Sequence, residues 1–136
     1  MEYIQIGENG GLPQISNLAP FKAVLAIEDT VSRERRQQVS DWLVGMGCMY
    51  VMICGSDCES WQQSIRDANL ERIPLERIRP EQFVMITVHL HERLRSVFRH
   101  AKKYARHTEV ELRSIVTVHV SRQNREVDYH NQFNKR

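Results

Sequence analysis

The chain has 136 residues, 41% hydrophobic and 26% charged, enough for one domain with its own apolar core and no disulfide or metal support. No apolar run approaches the ~18 residues a bilayer span needs, and Met1–Gly7 has neither the basic nor the apolar region of a secretory signal. The net charge of +2 hides an asymmetry, with 8 Lys/Arg against 12 Asp/Glu in residues 1–89 and 11 against 5 in residues 90–136. Such a split fits an acidic partner or nucleic acid, or simply differently charged helix faces that keep a small protein in solution. The odd count of cysteines (Cys48, Cys54, Cys58) fits reduced, buried thiols in the cytoplasm better than a disulfide framework.

Residues 1–20 read as an N-terminal arm. Tyr3, Ile4 and Ile6 allow a short strand, but Gly7, Gly10, Gly11, Pro13 and Pro20 punctuate the rest of the arm as loop. The α/β domain proper is expected over residues 21–120. Ala23–Ile27 is apolar without alternation, as in a strand buried on both faces. Ser32 then opens a helix with Val39, Trp42, Leu43 and Met46 on one stripe, closed by Gly45 and Gly47. Tyr50–Cys54 reads as the second strand. Ser56 and Glu59 match a capping box before a helix striped by Trp61, Ile65 and Ala68. Pro74 and Pro80 bracket a connector, and Phe83–Val88 reads as the third strand. A third helix is expected from about His91 to Arg106 on Leu94, Val97, Phe98, Ala101 and Ala105, followed by a fourth strand at Ser114–Val120. Residues 121–136 form a polar C-terminal tail or a short helix around Val127, Tyr129 and Phe133.

This alternation predicts a small three-layer α/β domain, with a four-stranded, mostly parallel sheet and helices on both faces. The expected strand order is flavodoxin-like, 2-1-3-4, which makes the first and third runs neighbours at the reversal point. Asp29 and the His89–Glu92 segment then flank the crevice where open α/β sheets bind ligands.

The turn after the first run, Ile27–Ser32, contains no glycine, and no phosphate-loop motif occurs, so no cofactor is expected. Asp29, Asp57, Cys58 and His89, at the run ends, are the candidates for catalysis. Cys58 near a helix start would act as nucleophile with His89 as its base. His89 and His91 lie two apart, which puts both on one side of an extended segment, and with Asp57 they are the candidate ligands of a divalent ion. The bland alternatives are a capping histidine, a solvated histidine and a small buried thiol. The third helix carries Arg95, Arg99, Lys102, Lys103 and Arg106 opposite its apolar stripe, a surface for an acidic protein or for phosphates. Only Tyr104 is on hand to stack a base there, so nucleic acid is the weaker reading.

Tyr50-Val51-Met52 leading into Asp57-Cys58-x-x-Trp61, Ala68-Asn69-Leu70-Glu71, Phe83-Val84-Met85-x-Thr87 with His89, and Ser121-x-x-x-Arg125-Glu126 make Phe21 to about Glu126 resemble a small bacterial α/β domain family of unknown function. The resemblance implies a fold and no chemistry. The leading expectation is a non-catalytic cytoplasmic interaction or regulatory module, such as a bacterial immunity- or defence-associated accessory protein, that docks a protein partner. A hydrolase, metal-dependent or not, with its site at the strand ends is the alternative, and no recognised catalytic set is complete. Nucleic-acid binding through the basic helix is the third. A self-complementary helix face or edge strand would make a homodimer, and no membrane partner is expected.

Overall fold

The apolar run Phe21–Ile27 forms strand β2, the middle of a five-stranded sheet in a computed structural model that describes residues 1–136. The other strands are β1 (Glu2–Ile6), β3 (Cys48–Gly55), β4 (Met85–His89) and β5 (Ser114–Val120). Helices α1 (Arg33–Gly45), α2 (Cys58–Arg72), α3 (Leu94–Lys103) and α4 (Glu126–Asn134) connect or follow them. The order across the sheet is β1-β5-β2-β3-β4, and every pairing is parallel.

The α/β architecture with helices on both faces is as expected, but the four-stranded 2-1-3-4 order is not. The sheet has a fifth strand, and the run expected beside Ala23–Ile27 as its third-strand neighbour, β4, stands at the edge with β3 between them. Residues 1–20, expected as an arm, supply β1 and the crossover that leads to β2. Five residues suffice for β1 because β5 offers it a complete parallel edge, from Glu2 opposite Val116 to Ile6 opposite Val120. The polar tail resolves as α4, packed on α3 and β1.

Direction of travel decides which helix covers which face. The chain steps from β2 to β3 to β4 in one direction, so right-handed crossovers place α1 and α2 together on one face. The return from β4 to β5 reverses direction and puts α3 on the other face, against β2 and β3. Side-chain alternation then divides the core. Ala23, Leu25, Ile27, Val51 and Ile53 pack with Val39, Leu43, Trp61 and Ile65 under α1 and α2. Val24, Ala26, Met52 and Cys54 pack with Val97, Phe98, Ala101 and Tyr129 under α3 and α4.

Local chemistry sets the helix starts. Ser32 caps α1 and accepts from the Arg35 amide at 3.1 Å. The expected Ser56–Glu59 capping box does not form. Asp57 is the N-cap of α2, in the left-handed region at φ 51°, and its side chain makes no capping bond. The turn before it is too tight for the box. Gly55 has φ 94°, Ser56 donates its amide to Ile27 O at 2.9 Å, and a Cβ on Gly55 would lie 2.1 Å from that oxygen. Only glycine fits there.

The β1–β2 crossover contains no α-helix, so its carbonyls need partners elsewhere. Arg35 of α1, buried, supplies three of them. Its guanidinium donates to Gly7 O at 2.9 Å, Gly10 O at 3.0 Å and Asn9 O at 3.3 Å, and to the Gln38 side chain at 2.8 Å. Trp42 Nε1 adds a bond to Pro13 O at 2.7 Å. Arg35→Ala leaves these carbonyls unpaired and is expected to cost ~2–4 kcal/mol in urea unfolding, with Arg35→Lys recovering only part because an ammonium cannot span three carbonyls. A loss below ~0.5 kcal/mol would show that the crossover is held by apolar packing alone.

Candidate functional site

With β5 beside β2, the topological switch lies between those two strands, since the chain leaves β2 toward α1 on one face and β5 toward α4 on the other. Asp29 stands at this point. Its carboxylate accepts the Arg122 amide at 2.7 Å and lies 3.5 Å from Arg122 Nε, beside a cleft of about 230 Å³ lined by Gly7, Glu8, Thr30 and Ser121. Asp57 accepts from Thr30 Oγ1 at 3.4 Å. His89 is elsewhere, two strands from β2, which at ~4.8 Å per strand is roughly 10 Å away. Asp29 and the His89–Glu92 segment therefore do not flank one crevice.

Two histidine clusters face α3 and α4 in the same row of the sheet, where Gln5, His119, Ala26, Cys54 and His89 are in register. His119, fully buried, has Nδ1 2.6 Å from Tyr3 Oη. That hydroxyl also accepts the Arg125 amide at 2.9 Å, so its own proton goes to His119 Nδ1. Nε2–H then donates to Glu28 at 2.9 Å, and Arg125 Nε donates to the same oxygen at 3.1 Å. These two donors, Arg125 first, hold the Glu28 carboxyl below the usual range. Tyr129 covers the ring, with centroids 4.5 Å apart.

His89 is buried at the end of β4, with Nδ1 2.6 Å from Glu92 Oε2 and Nε2 2.7 Å from Thr87 Oγ1. His100 of α3 stands edge-on to it, centroids 4.8 Å apart, and bonds Tyr50 Oη at 3.2 Å. Burial, then the neighbouring His89, lowers the His100 pKa. In both His89 and His119 the two ring nitrogens are engaged within the protein. His91 lies outside this cluster, exposed in a left-handed turn at φ 59°. No group of three or more His, Cys, Asp or Glu side chains is placed to hold a metal ion. Cys58 is buried, its Sγ–H donates to Gly55 O at 3.3 Å, and burial together with Asp57 raises its pKa. Burial pushes the Cys54 thiol up to about 12.

The basic face of α3 divides in two. Arg95 and Arg99 donate to the backbone oxygen of Arg136, at 2.9 and 3.5 Å, and Lys102 donates to Phe133 O and Lys135 O while lying 4.8 Å over the Phe133 ring. These three hold the C-terminal segment. Lys103 and Arg106 are joined instead by Lys22, which no sequence pattern singled out. With Lys102 they surround a pocket of about 270 Å³ that Val110, Glu111 and Leu112 help to line. None of the four cations is ion-paired to a carboxylate. Lys22 Nζ is braced by Ala105 O at 3.0 Å, and burial and then Arg106 lower its pKa. His107 shapes the wall, with Nε2 donating to Phe83 O at 2.7 Å and Nδ1 accepting the Glu109 and Val110 amides at 3.0 and 3.2 Å. A lysine inside the apolar run Phe21-Lys22-Ala23 was the signal available for this pocket.

No helix of the protein is long and apolar enough to cross a membrane. The family model described as a domain of unknown function, DUF7684, matches residues 1–136, so the chain belongs to that family. No curated protein and no solved structure matches the chain.

The His100 cluster makes stability depend on pH. Its folded pKa lies below the ordinary value, so the unfolded chain binds the proton more readily. The stability it contributes is complete above about pH 6.5 and is lost as pH falls toward the folded pKa. Urea midpoints are expected to drop between about pH 7.5 and 5.5, and His100→Gln, which keeps a partner for Tyr50, is expected to flatten that drop. Equal pH slopes in the two proteins would remove His100 as the cause.

Proposed function

We propose that this member of a domain family of unknown function is a non-catalytic interaction module, and that it docks an acidic segment of a protein partner in the basic pocket at the α3 C-terminus. One observation carries this reading: Lys22, Lys103 and Arg106, beside Lys102 whose ammonium already donates to Phe133 O and Lys135 O, share one concavity with a single carboxylate, Glu111, and no ion pair among them. Like charges held this close repel one another, and a partner carboxylate would relieve that repulsion as it binds. The braces from Ala105 and His107 hold the wall in place, so little ordering is left to be done on binding.

The shape of the charge favours a protein segment over a nucleic acid. A duplex needs a track of cations along its phosphates. Here Arg95 and Arg99, which would extend the pocket into such a track, donate to the chain's own C-terminal segment. Glu111 in the pocket wall also opposes a phosphodiester backbone. Strand-end hydrolysis is less supported, since the Cys58 thiol is buried and donates to Gly55 O, and Asp29 stands two strands from His89.

A labelled glutamate-rich peptide is expected to bind saturably in an anisotropy titration at fixed ionic strength. Lys103→Ala and Arg106→Ala, both at exposed positions, are each expected to weaken it about tenfold without changing the fold. Tighter binding of a random DNA duplex with a steep salt slope would replace this reading with the nucleic-acid one. Peptide binding that is absent, or equal in the variants, would overturn it.

A further inference from the structure

The two edges of the sheet are treated differently. β1 carries Glu2 on its exposed side, and α4 packs against it. β4, Met85-Ile86-Thr87-Val88-His89, is the opposite edge and has no Lys, Asp, Glu or Pro and no break in register with β3. Natural sheets usually blunt a free edge with charge, proline or a bulge, because its unpaired amides and carbonyls invite another strand. This edge has none of those devices. Apolar side chains lie beside it in the open: Leu75 is 66% exposed, Leu90 61% and Phe83 39%.

We infer that β4 docks against β4 of a second copy of this chain, antiparallel about a two-fold axis through Thr87, and so extends the sheet across the pair. The strand is self-complementary in that register. Thr87 meets Thr87, Ile86 meets Val88 and Met85 meets His89, so no like charges stand opposite one another. One position further, Leu90 of each copy lies opposite Val84 of the other. Directly opposed residues share a sheet face, and Val84, Ile86 and Val88 belong to the face covered by α2. On that face, beside Val84, is an apolar recess of about 140 Å³ lined also by Leu70, Leu75, Phe83 and Ile86. The exposed Leu90 is therefore delivered to the recess of its neighbour, and the two-fold repeats the contact. Knob and hole come from the same chain at the spacing the pairing requires, which is why a second copy fits this edge better than an unrelated strand. The contact is small, so the dimer is expected to be concentration-dependent.

Light scattering after size exclusion tests this on the full chain. At ~0.5 mM the mass is expected to approach twice the 16.0 kDa of one chain, and Leu90→Lys and Leu75→Lys, both at exposed positions, are each expected to return it to the single-chain value with an unchanged circular dichroism spectrum. Thr87→Cys is expected to oxidise to a covalent dimer, because the Cβ atoms of directly opposed residues approach to ~4.5 Å at their closest, within reach of the ~3.5–4.5 Å a disulfide spans, and the native cysteines are buried. A wild-type monomer at that concentration would overturn the inference. So would a dimer that survives both lysine substitutions, or a Thr87→Cys chain that stays monomeric under oxidation.

Discussion

The insertion of β5 between β1 and β2 is the constraint on which the rest of the molecule depends. Its main chain bonds both neighbours, and its side chains reach both halves of the core, with Val116, Val118 and Val120 toward α1 and His119 toward α4. It also assembles the polar cluster at the switch point. Tyr3 comes from β1, His119 from β5, Glu28 follows β2 and Arg125 precedes α4, and the four converge because one strand sits where it does. The Arg35 guanidinium completes this arrangement, since it fixes the loop that must pass over β5 to join its two neighbours.

The two sides of the sheet do different work. Under α1 and α2 the row Ile4, Val118, Leu25, Ile53 and Val88 is wholly apolar. Under α3 and α4 the rows contain Tyr3, Thr117, Thr87, His119 and His89, and every buried side-chain nitrogen and oxygen there except Thr117 Oγ1 finds a partner. Buried polar groups of this kind are tolerable only when satisfied, and their directional bonds fix how the helices sit. The His89–Glu92 and His119–Glu28 bonds are part of that fixing of geometry, whereas the pocket at the α3 C-terminus gathers cations that face no carboxylate but Glu111.

Four of the five strands and three of the four α-helices were legible in the chain, because continuous apolar runs and 3.6-residue stripes are strong signals, while α4 was open between a tail and a short helix. The membership of the sheet was not. β1 is five residues of weak alternation followed by glycines and prolines, and its strand character comes from an edge supplied more than a hundred residues later. Strand order was likewise out of reach, since a four-strand reading had no place for β5 other than the far edge. Among site residues, Asp29 and His89 were correctly set at strand ends, but their expected meeting rested on that order. Arg95, Arg99 and Lys102 looked like a free basic face because the chain's own C-terminal carbonyls, which occupy them, leave no mark in the composition. Lys22 was passed over for the opposite reason, as one charge within an apolar run.

The parallel pairing of Glu2–Ile6 with Val116–Val120 has a consequence for biosynthesis. β1 leaves the ribosome before the other strands, yet its only neighbour in the sheet is the last strand made. Strands β2, β3 and β4 with α1 and α2 can assemble as they emerge, because each pairs with the one before it. The N-terminal residues must wait, tethered beside a half-built sheet whose β2 edge is open, until β5 arrives and fills the gap. Closure of such a distant contact is slow, so the nascent chain is most exposed to mispairing at that open edge until β5 has emerged.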